Sequence, residues 1–294
     1  SNDAHFEVMQ KAKPGMVEYQ LESLFLHSVY FSGGCRQVSY TSICGCGPNS
    51  GVLHYGHAGA PNDRLIGNGD MLLLDMGGEY HCYGSDITCS FPSNGKFTEN
   101  QRMIFEAVAD MQLTVMKRMK PGVEWKDMHE LSLKVMCEHL KKAGLLKGST
   151  EDMIKSNVGS IFMPHGLGHF LGIDTHDVGG FLKGVKRDER FGYKSLRCYR
   201  ILQANMVITV EPGIYFIDHL LDEAFQSDAL KQFLVNERIE EFRGTGGVRL
   251  EDDVVITNDG IKNMTNCPRT VSDVEKVMSG DIKERSRLER NFYL

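Results

Sequence analysis

Apolar residues recur at helical spacing in the first dozen positions (Ala4, Val8, Met9, Ala12) until Pro14-Gly15 breaks the pattern. They do so again at Leu21, Leu24, Phe25 and Val29, with Gly33-Gly34 as the stop, so both stretches predict helices. Between Tyr40 and Phe91 the signal changes to short apolar runs punctuated by Gly, Pro, Asn and Asp, among them Met71 to Met76 and Tyr80 to Phe91, which predict strands. Thr98 with Gln101 forms a capping box ahead of a long amphipathic stretch (Met103, Ile104, Ala107, Val108, Met111, Val115) that ends at Lys120-Pro121-Gly122. Another helix carries Met128, Leu131, Val135 and Cys137 and stops near Gly144. The Met-rich stripes read as core packing. From Phe162 onward the strand pattern returns over Phe162 to His176, Met206 to Tyr215 and Val248 to Ile256, the last closed by Asn258-Asp259-Gly260. Helices, strands, helices, strands in that order predict an α+β fold, with helices packed on the outer face of a curved, mostly antiparallel sheet. No low-complexity linker or solenoid repeat divides the chain, so 1–294 is expected to be a single domain, with a fraying charged tail from Asp281 to Leu294.

Composition narrows the partners. The net charge of -6 is spread over interleaved acids and bases, so nucleic acid has no electrostatic footing. No apolar run approaches the ~20 residues that span a bilayer, so no membrane partner is expected. Ser1-Asn2-Asp3-Ala4 lacks the basic and apolar regions of an export signal. The eight scattered cysteines then read as reduced thiols of a cytoplasmic enzyme. Cys44-Gly45-Cys46 is the one close pair; without a second Cys or His pair at zinc spacing it reads as a tight turn with buried thiols.

The chemistry lies in dispersed acids and histidines. Asp75 follows Leu72-Leu73-Leu74, and a carboxylate at the end of a buried strand is costly unless paired or metal-bound. Alone, such an Asp is more often a strand-end cap. Asp86, eleven residues on, gains meaning from that partner, because adjacent strands would bring both carboxylates onto one face. His165 and His169 bracket Gly166-Leu167-Gly168 and His176 follows, and three histidines in a Gly-rich stretch suggest a site in which not all need be ligands. Glu211 ends an apolar run before Pro212, which cannot donate to a ladder. Arg249 and Glu251 share one strand face and Leu250 and Asp252 the other; among Glu251, Asp252 and Asp253 alternation alone does not choose. An ordered Asp, Asp, His, Glu, Glu set supplies five hard or borderline ligands for two divalent ions, which points to a metallohydrolase.

Six segments together resemble the catalytic domain of the pita-bread metallopeptidases, nearest their eukaryotic Xaa-Pro dipeptidase (prolidase) branch. They are His54 to Asp63, Asp75 to Tyr80, Ser85 to Pro92, Pro164 to His169, Val210 to Tyr215 and Gly247 to Arg249. The resemblance runs nearly end to end. It implies the pita-bread fold and hydrolysis of Xaa-Pro dipeptides by a metal-bridging hydroxide. It further implies that Asp75, Asp86, His169, Glu211 and Glu251 are the metal ligands, with Asp86 and Glu251 bridging, and so picks Glu251 from its acidic triplet. Glu211 is implied as acid/base, His165 and His176 as groups that hold substrate and stabilise the oxyanion, and His54 and Arg197 as the proline side of the site. On sequence alone Arg197 is a solvated surface charge. Arg249 and Thr88 are implied as partners of the metal-binding carboxylates, and Mn(II) as the first-choice metal, with Co, Fe or Zn open to the same donors.

Prolidases carry a further N-terminal domain to which nothing here corresponds, so a homodimer is expected of a full-length protein and is open for this chain. Asn205 stands where the family commonly has Pro-Gly. Two other readings remain: aminopeptidase P-type cleavage of longer Xaa-Pro peptides, and a catalytically inactive binding module of the same fold.

Overall fold

The computed structural model describes residues 1–56, 62–288 and 294. The chain opens with α1 (Asn2–Lys11) and α2 (Glu18–Phe31), whose Val8, Met9, Leu21 and Phe25 are buried as the helical spacing predicts. Short β1 (Gln37–Val38) and β2 (Ile43–Cys46) follow, then β3 (Met71–Asp75), β4 (Gly78–Glu79) and β5 (Thr88–Pro92). Every residue of β2, β3 and β5 is buried, which is why they read as continuous apolar runs and not as alternation. They form one antiparallel sheet in the order β2-β3-β5, with Asp75 opposite both Ile43 and Thr88. Cys44 and Cys46 therefore lie in a strand, not in the expected tight turn.

Two long helices pack against each other, α3 (Glu99–Met116) and α4 (Trp125–Lys142). The predicted box is present at the head of α3: Gln101 N–H donates to Thr98 Oγ1, and the Gln101 side chain accepts from Thr98 N–H. After α5 (Thr150–Lys155) and α6 (Gly159–Phe162) come β6 (Val207–Val210) and β7 (Gly213–Tyr215), separated by Glu211-Pro212. Three short helices, α7 (Asp218–Gln226), α8 (Asp228–Lys231) and α9 (Asn236–Glu240), lead to β8 (Gly247–Arg249), β9 (Asp252–Ile256), β10 (Ile261–Asn263) and α10 (Val271–Ser279). β10-β9-β6, β7-β8 and the short pair β1-β4 complete the described antiparallel sheets. No described helix is long and apolar enough to cross a membrane.

Three expectations change. The strand expected over Tyr80 to Phe91 is confined to β5, because Tyr80–Tyr83 close a tight turn, and Asp86 precedes the strand instead of lying within it. Phe162 to His176 forms no named strand. Phe162 ends a helix, and only Leu167 to Leu171 runs beside β6, bonding Leu167 O to Glu211 N, His169 O to Thr209 N and Leu171 N to Val207 O. Gly168 permits that approach, since a Cβ there would stand 2.0 Å from Thr209 O. The tail is held over its described residues: Arg285 pairs with Asp3, Leu288 is buried, and Leu294 exchanges both backbone hydrogen bonds with Ile261.

Candidate active site

The candidate residues sit where strands stop. Asp75 is the last residue of β3, Asp86 lies two before β5, Glu211 follows β6, and Glu251 fills the break between β8 and β9, where it bridges Thr88. A strand end fixes the backbone while freeing the side chain to turn into the space beyond the sheet. His169 joins them from the segment beside β6, and Thr209 Oγ1 accepts its backbone N–H at 3.1 Å. Gly77 lets the two Asp-bearing segments meet, because a Cβ there would lie 1.7 Å from Ser85 O.

A cavity of about 360 Å³ collects all five, together with His54, His165, His176, Arg197 and Arg249. The position of each site residue expected from the sequence is thus accounted for; Thr88 lies just behind the wall. Of the motif from His54 to Asp63, residues 57–61 lie outside the described part.

His169 Nε2 stands 3.2 Å from Asp86 Oδ2, 3.5 Å from Glu211 Oε1 and 4.0 Å from Glu251 Oε1. Its Nδ1 is 3.0 Å from Phe170 O, and a carbonyl only accepts, so Nδ1 carries a proton and Nε2 is turned toward the acids. Asp86, His169 and Glu251 each offer a donor atom within 4.8 Å of the others, a spacing that fits one metal ion. Asp75 and Glu211 flank this trio. Both Asp75 oxygens already have partners: Tyr40 O–H donates to Oδ1 at 2.5 Å and Arg249 Nη2 to Oδ2 at 2.7 Å.

Arg249 organises the wall behind the acids. It is buried and donates to Asp75, to Tyr215 Oη (2.8 Å) and to Thr88 Oγ1 (3.2 Å), while Thr88 donates to Glu251 Oε2 at 2.7 Å. Tyr215 in turn meets His165 Nε2 at 3.0 Å. His165 Nδ1 lies 2.7 Å from Gly166 O, which places its proton there and makes Nε2 the acceptor of the Tyr215 hydroxyl. His165 therefore enters the cavity as a neutral ring with both nitrogens already bonded within the protein, rather than as a ready oxyanion donor.

Electrostatics explain why a cation belongs here. Among the described residues, Asp75, Asp86, Glu211, Glu251 and Asp253 crowd around two buried cationic groups, Arg249 and His169. Burial and the Asp86 charge raise Asp75 to about 6; burial lifts Glu211 to about 7 against the pull of His169 and Arg249. Burial and then Asp86 push Glu251 well above the carboxylate range. Burial is the largest influence on Asp86 and opposes its ionisation, but the bond and charge of His169, joined by Tyr40 and Asp75, together outweigh it and hold the carboxyl at about 2. His169 is correspondingly raised to about 9, its burial overcome by Asp86 and Glu211. Among the described residues, buried Asp86 Oδ1 has no hydrogen-bond partner. An excess of buried carboxylates, one of them with an unmatched oxygen, fits a divalent ion.

Sequence reasoning left out three members. Asp253, weighed in the acidic triplet and set aside, accepts Asp86 N–H at 3.1 Å, whereas Asp252 turns off to Arg269 and Asn263. Tyr40 and Arg187 carry no local pattern, and only the tertiary fold brings them to the site. Arg197 is exposed, as a surface charge would be, yet it lines the cavity.

The sequence profile of metallopeptidase family M24 matches residues 1–258. The chain belongs to metallopeptidase family M24. Among curated members it is 59% identical over 280 residues to Xaa-Pro dipeptidase of Homo sapiens, a match covering 95% of this chain and 57% of that protein. It is 40% identical to a probable Xaa-Pro aminopeptidase of Phaeosphaeria nodorum, covering 95% and 58%. Among solved M24 relatives, zinc-substituted aminopeptidase P of Escherichia coli in complex with product superposes with a TM-score of 0.79 at 36% identity, over 96% of this chain and 57% of that one. These likenesses bear out the pita-bread α+β fold. The chain spans 57% of the length of the first of these relatives. The metal that an M24 metallopeptidase requires thus has a fitting site in the acidic wall.

Proposed function

We propose that the chain hydrolyses Xaa-Pro dipeptides, with divalent ions held by Asp75, Asp86, His169, Glu211 and Glu251. The observation that carries this reading is one cavity with unlike ends: a buried wall of carboxylates around His169, and an exposed rim bearing Arg187, Lys194 and Arg197. Such a cavity pairs a hydrolytic centre with a receptor for an anionic substrate terminus. The higher identity to a protein named Xaa-Pro dipeptidase than to one named Xaa-Pro aminopeptidase supports the same choice.

When bound, divalent ions supply Lewis acidity and bring the pKa of a coordinated water toward neutrality. The chain's own residues do the rest. Glu211, between His169 and His165, takes the proton of the attacking water and returns it to the departing proline nitrogen. Arg249 and Thr88 fix the orientation of Asp75 and Glu251. His176, edge-on to His169 with ring centroids 4.4 Å apart, faces the developing oxyanion, while His165, anchored by Tyr215, shapes the substrate side. Arg197 pairs with the free proline carboxylate, with His54 alongside. Oxygen-rich ligation with one imidazole suits Mn(II), which the resemblance to prolidases makes the first choice, with Co, Fe and Zn open to the same donors. In this reading 1–294 works as one catalytic domain; its eight cysteines form no disulfide, which suits the cytoplasm, and homodimerisation is the state expected of a full-length protein.

A second reading, aminopeptidase P-type cleavage of longer peptides, draws on the structural likeness to the Escherichia coli enzyme. The deciding experiment compares turnover of Gly-Pro and of a Xaa-Pro-Xaa tripeptide after incubation with Mn(II), with Asp86→Asn alongside and metal content measured on the same samples. Gly-Pro turnover that vanishes in the variant is expected. Preference for the tripeptide would select the second reading, and metal binding without turnover on either would favour a binding module.

A further inference from the structure

The rim of the cavity holds more positive charge than one carboxylate contact at Arg197 uses. Arg187 lines the same cavity, and its guanidinium is fixed in place by two contacts. One face lies over the Phe181 ring, with Cζ 3.9 Å from the centroid, and Nη1 donates to Leu196 O at 3.1 Å. Leu196 immediately precedes Arg197, so this bond ties the two arginines to one short stretch of backbone.

That stretch is itself stapled. Arg190 forms a two-pronged pair with Asp188 and lies over the Tyr193 ring at 3.7 Å, and Tyr193 is buried. Lys126 of α4 approaches Asp188 at 3.7 Å. A solvated surface arginine ordinarily samples many rotamers. Here stacking and a backbone bond remove much of that freedom before any ligand arrives, which lowers the entropy lost on binding. Among the nitrogens of Arg187, one is bonded to Leu196 O, and the fork keeps further N–H donors for an acceptor in the cavity. The group that suits a second planar donor fork beside Arg197 is a carboxylate.

Building on the dipeptidase reading above, we propose that Arg187 is a specificity-determining residue which, with Arg197, holds the C-terminal carboxylate of the substrate and so favours peptides ending one residue after the scissile bond. Two guanidinium groups on one carboxylate discriminate charge: an amide of the same shape leaves both forks without their anionic partner.

The test uses the full chain loaded with Mn(II), as wild type, Arg187→Gln, Arg187→Lys and, as a charge control exposed on the same loop outside the cavity, Lys183→Gln. KM and kcat are measured with Gly-Pro and with Gly-Pro amide, and binding of L-proline and L-prolinamide is measured by calorimetry. For Arg187→Gln, KM for Gly-Pro should rise about tenfold with kcat within about twofold, while the amide changes by less than about twofold. Arg187→Lys should fall between, and Lys183→Gln should stay near wild type. Equal effects on acid and amide, or loss matched by Lys183→Gln, would overturn the assignment and leave Arg187 as a structural or general electrostatic group. If wild type hydrolyses neither substrate, the dipeptidase reading fails while calorimetry still decides this one: Arg187→Gln must weaken proline about tenfold and prolinamide hardly at all. No difference between those ligands sinks it.

Discussion

The two ends of the cavity are built by opposite means. The acidic wall consists of buried side chains at strand ends, each held by a second residue: Tyr40 and Arg249 on Asp75, His169 and the Asp253 bond on Asp86, Thr88 on Glu251. The cationic rim is an exposed loop in which Arg187 owes its placement to ring stacking and one backbone carbonyl. Charge crowded in a low-dielectric wall can be strongly perturbed and needs a counter-ion, whereas charge on a wet rim is screened and acts by geometry. Damage to the wall should therefore abolish chemistry, and damage to the rim should alter which substrate is taken.

The largest expected effect comes from Asp86→Asn. It keeps the shape and the backbone N–H that Asp253 accepts, but removes the charge that faces His169. Turnover of Gly-Pro should fall about 10³-fold or more, as for the strongest electrostatic groups in active sites, with far-ultraviolet circular dichroism unchanged and metal content reduced. Wild-type rates in this variant would erase the distinction between wall and rim.

A smaller loss is expected one layer back. Tyr40→Phe deletes the hydroxyl that bonds Asp75 Oδ1 and leaves that oxygen to reorient. Outer partners of metal-binding groups usually matter by 10–100-fold, so metal affinity or kcat/KM should drop by about that factor. A drop confined to KM would place Tyr40 with the rim instead. Arg197→Ala is the counterpart on the loop: KM for Gly-Pro should rise by about tenfold or more, the size of a lost charge-assisted bond, while a longer peptide with no carboxylate at that place is spared. Equal losses on both substrates would mean that Arg197 does not read a carboxylate.

The same contrast explains what the sequence disclosed. Asp75 and Glu211 were visible because an acid closing an apolar run beside glycine or proline is an anomaly that burial makes expensive. Asp86 was visible mainly through its spacing from Asp75, and the sheet confirms the reason: β3 and β5 pair so that Asp75 meets Thr88, leaving Asp86 just beyond the ladder. The segment from Phe162 to His176 looked like a strand because five of its residues, Leu167 to Leu171, do run along β6; its ends do not, and periodicity cannot locate a partner's limits. Tyr40 lies 35 residues from Asp75, and a contact made by folding across that separation leaves no trace in local pattern. Arg197 was nominated by resemblance alone, and Arg187 not at all, since an arginine in a polar loop is ordinary until its stacking partner and its cavity are seen.

The smallest effect concerns what the rim stands on. His129 of α4 lies edge-on to Tyr193, ring centroids 4.8 Å apart at 82°, on a ring that also carries Arg190. It is fully buried, and neither of its nitrogens has a hydrogen-bond partner among the described residues. Burial, and then the Arg190 charge, lower it to about 3, against an ordinary value near 6.5. The unfolded chain then binds a proton at this residue that the folded protein refuses between those limits. Folding stability contributed by a neutral His129 is therefore complete above pH ~6.5 and is lost as pH falls toward 3, by at most about 1.4 kcal/mol per pH unit. Carboxylates titrate over the lower part of that range, so the informative quantity is the difference between wild type and His129→Leu in urea unfolding from pH 6.5 to 4.5. Wild type should lose stability faster than the variant as pH falls, and the variant should keep its kcat at neutral pH because the wall is untouched. Parallel curves would mean that His129 accepts a proton in the folded state as readily as in the unfolded one, and that the rim rests on a charged footing like the wall.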